Sequence, residues 1–366
     1  MPGPKDRADA IRHWPAPLRF LAASLSGRPR PALDAADWDQ FADLAVERHR
    51  LAAPLAARLQ GDDIPTRIRD ALETASAQAA LEALAQKAET LRLLDAFAAE
   101  DLMPVLLKGW PLAERLFGAA GMRQAKDIDL HIAPGELPRA VRVLEELGYR
   151  PHPAHLGRCA LARRPSPALI AETNDIAWMH PSGQVVELHW RLTHLAGWIE
   201  LAEIDAPLIS HPLDATGHTL LVPGDRANLI YLSVHGQLHL WGRLRWLYDI
   251  ARLMELRSTT DLEGDLAEAE RVGAGRAVRI ATHLAATVFA APLPRDWPEL
   301  DWLERRAMAQ FLALIAGEGG RPGHRVARLG FYLSTLGLGE GLTQRLAAPR
   351  YALWRNLRLS LAERLG

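Results

Sequence analysis

"LLKGWPLAERLFGAAGMRQAKDIDLHI", residues 106–132, joins an apolar run ending in Lys108-Gly109 to two carboxylates, Asp127 and Asp129, that flank one isoleucine. Its first part reads as a buried strand, a sharp turn at Gly109 and a helix with Pro111 in its first turn. Glycine permits the bend, and proline suits a helical position whose N–H has no partner anyway. The free N–H groups and dipole of such a helix start make an anion site, to which Lys108 or Arg123 adds positive charge. The second part decides the fold. On a strand rising ~3.3 Å per residue, Asp127 and Asp129 share one face with Cα atoms ~6.6 Å apart. On a helix the same spacing turns them about 200° apart. Residues 127–132 are therefore expected as a strand whose acids repel each other unless a cation lies between them. A solvent-facing edge strand with two hydrated aspartates is the plainer alternative for so short a pattern.

Outward from this stretch, "MPVLLK", "DIAWMH" and "VVELHW" carry further strand patterns, with Pro181-Ser182-Gly183 as the turn of a hairpin between the last two. "PLAERLF" and "GELPRAVRVLEELG" have helical spacing. Strand, helix, strand, helix and hairpin make a small α/β unit on a mixed sheet. Upstream, residues 35–99 are rich in Ala, Leu, Arg and Glu at helical spacing, with helix starts expected at Asp37-Trp38 and Thr66. That helical layer shows no evident chemistry. Downstream of Pro223 the chain returns to helix, including residues 225–256 as one continuous element. The expected architecture is α+β: helices over 1–100, an α/β unit over 101–195 and a helical region over 196–366.

Composition bounds the partners. The 366 residues are 49% hydrophobic and 24% charged with net charge −1, so a core can form and no overall positive field attracts nucleic acid or an anionic membrane. The apolar runs fall short of the ~20 residues that span a bilayer. One cysteine, Cys159, and the lack of an apolar signal region near the N-terminus predict a reducing, cytoplasmic setting. Cys159 has no nucleophile signature around it and is read as a bland surface or strand residue. No G-x-S-x-G elbow and no G-x-x-x-x-G-K phosphate loop occur. The arginines from Arg321 to Arg364 could attract an acidic peptide, RNA or a membrane surface, and are read in preference as the solvated face of terminal helices.

Period-2 alternation in "VVELHWRL" sets Val185, Glu187 and His189 against Val186, Leu188 and Trp190. If this strand neighbours residues 127–132, Glu187 completes a three-carboxylate cluster. Hard oxygen donors without thiolate suit Mg²⁺ better than Zn²⁺.

The order "LLKG", helix, "R…DIDL", then "VELHW" resembles the nucleotidyltransferases of the DNA polymerase beta superfamily, and most of all an uncharacterised bacterial nucleotidyltransferase family with "LKG", "DIDLLV" and "LHW" blocks. "HGQLHLWGRLRWLYDIARL" is similar to that family's downstream helical block, so the resemblance covers roughly residues 35–260. It implies that Gly109 opens the helix facing a triphosphate, that Asp127 and Asp129 hold two Mg²⁺ ions, and that Glu187 is the third carboxylate, orienting or deprotonating the attacking group. An acceptor would attack the α-phosphorus of a nucleoside triphosphate and pyrophosphate would leave, with metals roughly 3.5–4 Å apart stabilising the entering and leaving oxygens. One departure stands out: superfamily members follow the glycine with serine or a second glycine, and Trp110 stands here. A non-catalytic protein of the same fold is the competing reading that Trp110 favours, and phosphoryl transfer is a third.

At 100° per residue, Tyr231, His235, His239, Gly242, Trp246 and Asp249 fall within about 40° of one line along the downstream helix. His189, His235, His239, Trp246 and Asp249 are the expected acceptor-binding residues, with Asp249 or a histidine assisting proton removal. A core-facing stripe of hydrogen-bonded histidines is the structural alternative. The i, i+4 histidines could also suggest zinc, but Gly236 stands where the metalloprotease pattern needs glutamate. The acceptor class expected is a small molecule or a peptide.

Overall fold

The computed structural model describes residues 9–153, 173–193, 199–212 and 219–317; Cys159 and the arginines from Arg321 to Arg364 fall outside them. An N-terminal layer opens with α1 (Ala16–Ser26) and α2 (Ala35–Asp43). Asp34 caps α2, accepting from the Asp37 N–H while the Asp37 carboxylate accepts from the Asp34 N–H. The helix expected to start at Asp37-Trp38 does not run on unbroken. A wide helical turn over Leu44–Arg48 gives way to Arg50 at φ 53°, and α3 (Ala52–Arg58) restarts beyond it. Pro54 explains the break, because a proline inside a helix lacks the N–H for residue i−4 and its ring collides with that residue's carbonyl.

Next comes α4 (Thr66–Ala98), 33 residues long. Its buried positions, Ile68, Leu72, Ala79, Ala83, Gln86, Thr90, Leu93 and Phe97, recur at intervals of three, four or seven residues and so form one stripe. Ile68 and Leu72 belong to a core shared with the helical layers, and Ala83, Leu93 and Phe97 to a second core under the sheet. A single rod is thus anchored in both.

The central unit runs β1 (Val105–Leu106), α5 (Trp110–Phe117), β2 (Ile128–His131), α6 (Leu137–Glu146), β3 (Arg150–Pro151), β4 (Asp175–Met179) and β5 (Val185–His189). β4 and β5 are the antiparallel hairpin expected, turning at residues 181–183. Two strands beyond residue 195, β6 (Leu208–Pro212) and β7 (Thr219–Pro223), extend the sheet on its other side, β7 running parallel to β1. The order is β3-β4-β5-β2-β1-β7-β6, and the α+β architecture is that of a seven-stranded mixed sheet with flanking helices. Val186, Leu188, Ile176 and Trp178 are fully buried on the face that packs with α4 and with Leu137, Val141 and Leu144 of α6. The opposite face is left for chemistry.

Among the described residues, five helices follow: α7 (Asp225–Leu238), α8 (Leu244–Leu256), α9 (Thr259–Arg271), α10 (Gly275–Phe289) and α11 (Trp302–Ala316). α10 is buried along almost its whole length and packs against the other four and α1. Among the described residues, no helix is long and apolar enough to cross a membrane.

The single helix expected over residues 225–256 is two helices. Leu240 and Trp241 take left-handed φ values of 53° and 49°, and the Trp241 N–H closes the turn on the Gly236 carbonyl at 2.8 Å. The indole lies over Gly236, where an added Cβ would come within 2.3 Å of the ring. A tertiary fit therefore overrides helical periodicity. Gly236→Ala gains up to about 1 kcal/mol of helix propensity but must displace a buried indole, an overpacking cost of about 1–3 kcal/mol. Net destabilisation, read as a lower urea midpoint, is the expected outcome.

A second contact ties the N-terminal layer to α8. His49, wholly buried, accepts the Leu244 N–H on Nδ1 at 3.1 Å, satisfying an otherwise free donor at the α8 start. Burial, and then the charges of Arg48 and Arg243, lower its pKa to about 3, so the folded protein keeps it neutral. An unfolded chain protonates His49 near pH 6.5. The resulting stability is complete above that pH and is lost progressively as pH falls towards 3, with a slope of at most about 1.4 kcal/mol per pH unit. Urea unfolding at pH 7.5 and 5.5 should show this acid loss in the wild type and a shallower dependence in His49→Asn.

Candidate active site

β2 and β5 lie side by side and parallel, with Asp129 opposite Glu187 and His131 opposite His189. Since Val186 and Leu188 fill the core, alternation sends Glu187 and His189 to the free face, as the sequence pattern required. Asp127 stands one residue before β2 begins, so the strand is shorter than expected and only Asp129 of the two aspartates lies within it. All three acids nevertheless line one cleft. Asp129, Glu187 and His189 each offer a ligand atom within 4.8 Å of the other two. His189, expected at the acceptor, instead sits between acids: its Nε2 is 2.9 Å from Asp129 Oδ1 and 3.4 Å from Glu187 Oε2.

Lys108 reaches the same carboxylate, its Nζ 3.1 Å from Asp129 Oδ1, and is hydrogen-bonded to Tyr231 from α7. Burial works against charge on Lys108, Asp129 and His189, and pairing reverses it. Burial would raise Asp129, but Lys108 and His189 hold its carboxyl well below the usual carboxylate range. Burial would lower His189, but bonds to Asp129 and Glu187 bring it up to about 10. Asp127 has no such partner. Burial, followed by the charge of Asp129, raises it to about 6.

These residues fit a hard divalent cation. Asp129 Oδ2 is buried and has no hydrogen-bond partner, an orphan that a metal would satisfy. Two neighbouring carboxylates, Asp127 and Glu187, supply further oxygen donors, and His189 lies within ligand distance of Asp129 and Glu187.

The cleft encloses about 440 Å³. Gly109 lines it with φ 88° and ψ −142°, a left-side conformation that side-chain-bearing residues avoid, and a Cβ there would meet open space. Trp110 does not line it. Its indole is buried against α4, donating Nε1–H to Thr90 Oγ1 at 3.3 Å, with the Lys87 ammonium 4.8 Å from the ring centre. The bulk that replaces serine is therefore turned out of the cleft.

His235, His239 and Trp246 form one wall although they belong to different sides of the helix break, their ring centres 4.4–5.5 Å apart. Asp249 lies outside the lining. It is fully buried, and its Oδ2 accepts from Arg123 Nε at 2.9 Å. The break rotates α8 relative to α7, which is why one stripe does not continue to Asp249. Arg123, expected at phosphate, is held by this ion pair while its guanidinium still borders the cleft.

Sequence reading missed Arg50, Lys126, Asp175, Arg243 and Arg245, all of which line the cleft. The N-terminal layer is thus not free of chemistry: the left-handed turn at Arg50 brings a cation to the site. On a helix-rich segment an arginine reads as solvated surface, and no local pattern separates Arg245 from its neighbours in "GRLRW".

Residues 34–290 match the family described as uncharacterised nucleotidyltransferase, and the chain belongs to that family. No curated protein and no solved structure matches it.

Removing one member of a buried ion pair strands the other's charge, at a cost of about 3–5 kcal/mol, whereas replacing both with apolar groups is often neutral. Asp249→Leu should lower unfolding free energy by that order, and Arg123→Met with Asp249→Leu should recover most of it in urea titrations.

Proposed function

We propose that the protein is a Mg²⁺-dependent nucleotidyltransferase that moves a nucleoside monophosphate from a nucleoside triphosphate, ATP in the first instance, to a small-molecule or peptide acceptor. The reading includes kinship with the DNA polymerase beta superfamily. The single observation that carries it is the cross-strand pair Asp129 and Glu187, with Asp127 at the strand entrance and an unsatisfied Asp129 oxygen, beside a glycine-opened helix.

Asp127, Asp129 and Glu187 are the residues that would hold Mg²⁺. When bound, the metal supplies electrostatic stabilisation of the entering and leaving oxygens. The chain's own part is to bind and orient. Gly109 leaves room for phosphate at the start of α5, whose free N–H groups and dipole favour an anion. Lys108 keeps charge beside the acids, and Arg123 contributes at the cleft border. His235, His239 and Trp246 wall the acceptor side. An acceptor hydroxyl or amine then forms a bond to the α-phosphorus, the bond to pyrophosphate breaks, and the acceptor's proton passes to Glu187. With 24% side-chain exposure, Glu187 is more open to a substrate than Asp129 at 1%.

The test uses α-labelled and γ-labelled ATP with Mg²⁺ and a native cell extract as the source of acceptor. Label should transfer from the α-position only. In Asp127→Asn it should fall by more than the roughly 10–100-fold that loss of an outer-shell partner of a metal site costs. The same substitution relieves repulsion from Asp129, so the metal-free variant should melt no lower than the wild type while losing stabilisation by Mg²⁺. Transfer of γ-label alone would identify a phosphotransferase. No transfer of either label, together with no Mg²⁺ effect on melting, would sink the enzymatic reading.

A further inference from the structure

Arg245 is one of the cleft residues that the reaction above leaves unused. It occupies the first turn of α8, is 8% exposed and lines the cleft, yet Nε and Nη1 are buried without a hydrogen-bond partner. Among the described residues it makes no ion pair. A buried guanidinium with unmet donors is costly, and native proteins hold such groups in place when a ligand completes them.

Its neighbours sharpen the point. Burial, and then the charges of Arg123, Arg50 and Arg243, bring its pKa down to about 9. The carboxylates in its surroundings are Asp249, already bonded to Arg123, and Asp127, which belongs to the acidic cluster. Lys126 lines the same space. Lys108 is spoken for by Asp129, so the free donors of the cleft lie on the α8 side and on the Arg50 turn rather than at the strand. Mutual repulsion among several cations in one concavity is relieved by a ligand carrying more than one negative charge.

We propose that Arg245, supported by Arg50, Arg243 and Lys126, is the anchor of a subsite for a phosphate-type oxyanion, separate from the helix start at Gly109. The planar fork of arginine suits the oxygens of such a group, which accept two hydrogen bonds side by side. Trp246, with the Arg243 guanidinium 5.7 Å from its ring centre, and His239 border this side of the cleft, so the oxyanion is presented next to the acceptor wall. The assignment deepens the nucleotidyltransferase reading and rests on it for the source of the oxyanion: the polyphosphate tail of the nucleotide, or an anionic group carried by the acceptor.

The experiment is thermal melting of the full chain in EDTA at matched ionic strength, with orthophosphate, pyrophosphate and tripolyphosphate as probes. The wild type should be stabilised, most strongly by tripolyphosphate. Arg245→Met should weaken that response by about tenfold or more in half-saturating concentration, and its ligand-free form should melt at or above the wild type because an unpaired buried charge is gone. Arg50→Gln, at a half-buried site, provides a second variant in which folding is not at issue, and its response should weaken about tenfold or more in half-saturating concentration. Calorimetric titration with ATP then separates the sources. A matching loss of ATP affinity in Arg245→Met places the nucleotide's tail there. Unchanged ATP affinity with a weakened orthophosphate response places the acceptor's anion there. Absence of oxyanion stabilisation in the wild type, or its full retention in both variants, overturns the subsite. None of these readings requires turnover, so a failed labelling assay and a failed oxyanion assay remain distinct results.

Discussion

Carboxylates on facing positions of paired strands, about 5 Å apart at the backbone, repel each other, and everything around Asp129 and Glu187 answers that repulsion. Lys108 at the end of β1 and His189 two residues beyond Glu187 supply positive charge to the same oxygen of Asp129. Tyr231 from α7 completes the shell around Lys108. The sheet, the β1–α5 junction and the first downstream helix are therefore held in register by one electrostatic problem. The second carboxylate oxygen of Asp129 is the part of that problem the chain leaves open.

Period-2 patterning makes this part legible in the amino-acid order. Asp129, Glu187 and His189 follow from strand alternation, and Gly109 with Pro111 announces a turn into a helix. The seven strands are not all legible. "LISHP" and "TLLVP", which add β6 and β7, are short, flanked by proline and embedded in a region dominated by helical spacing. Trp110 looks like an obstacle in the sequence because the residue type is visible there but its rotamer is not. Packing against Thr90 and Lys87 on α4 takes the ring out of the cleft.

The downstream residues show the opposite failure. Helical angles place His235, His239, Trp246 and Asp249 on one line, and a tryptophan folding back onto Gly236 destroys the line while keeping three of the four together. Asp249 goes instead to Arg123, 126 residues away in sequence. Pairs at such separation leave no periodic trace in one sequence. The same holds for Arg50 and Arg245, whose meeting depends on His49 capping α8 from the N-terminal layer.

Helix α4 gives the molecule its stiffness in a particular direction. Thirty-three residues at 1.5 Å each make a bar of about 50 Å, and its two halves are embedded in different cores. Such a bar behaves as the chassis on which sheet and helical layers are mounted. The distance between Arg50 on one mount and the acids on the other is thereby a property of the frame, and the freedom left to a substrate-laden cleft resides in turns and side chains.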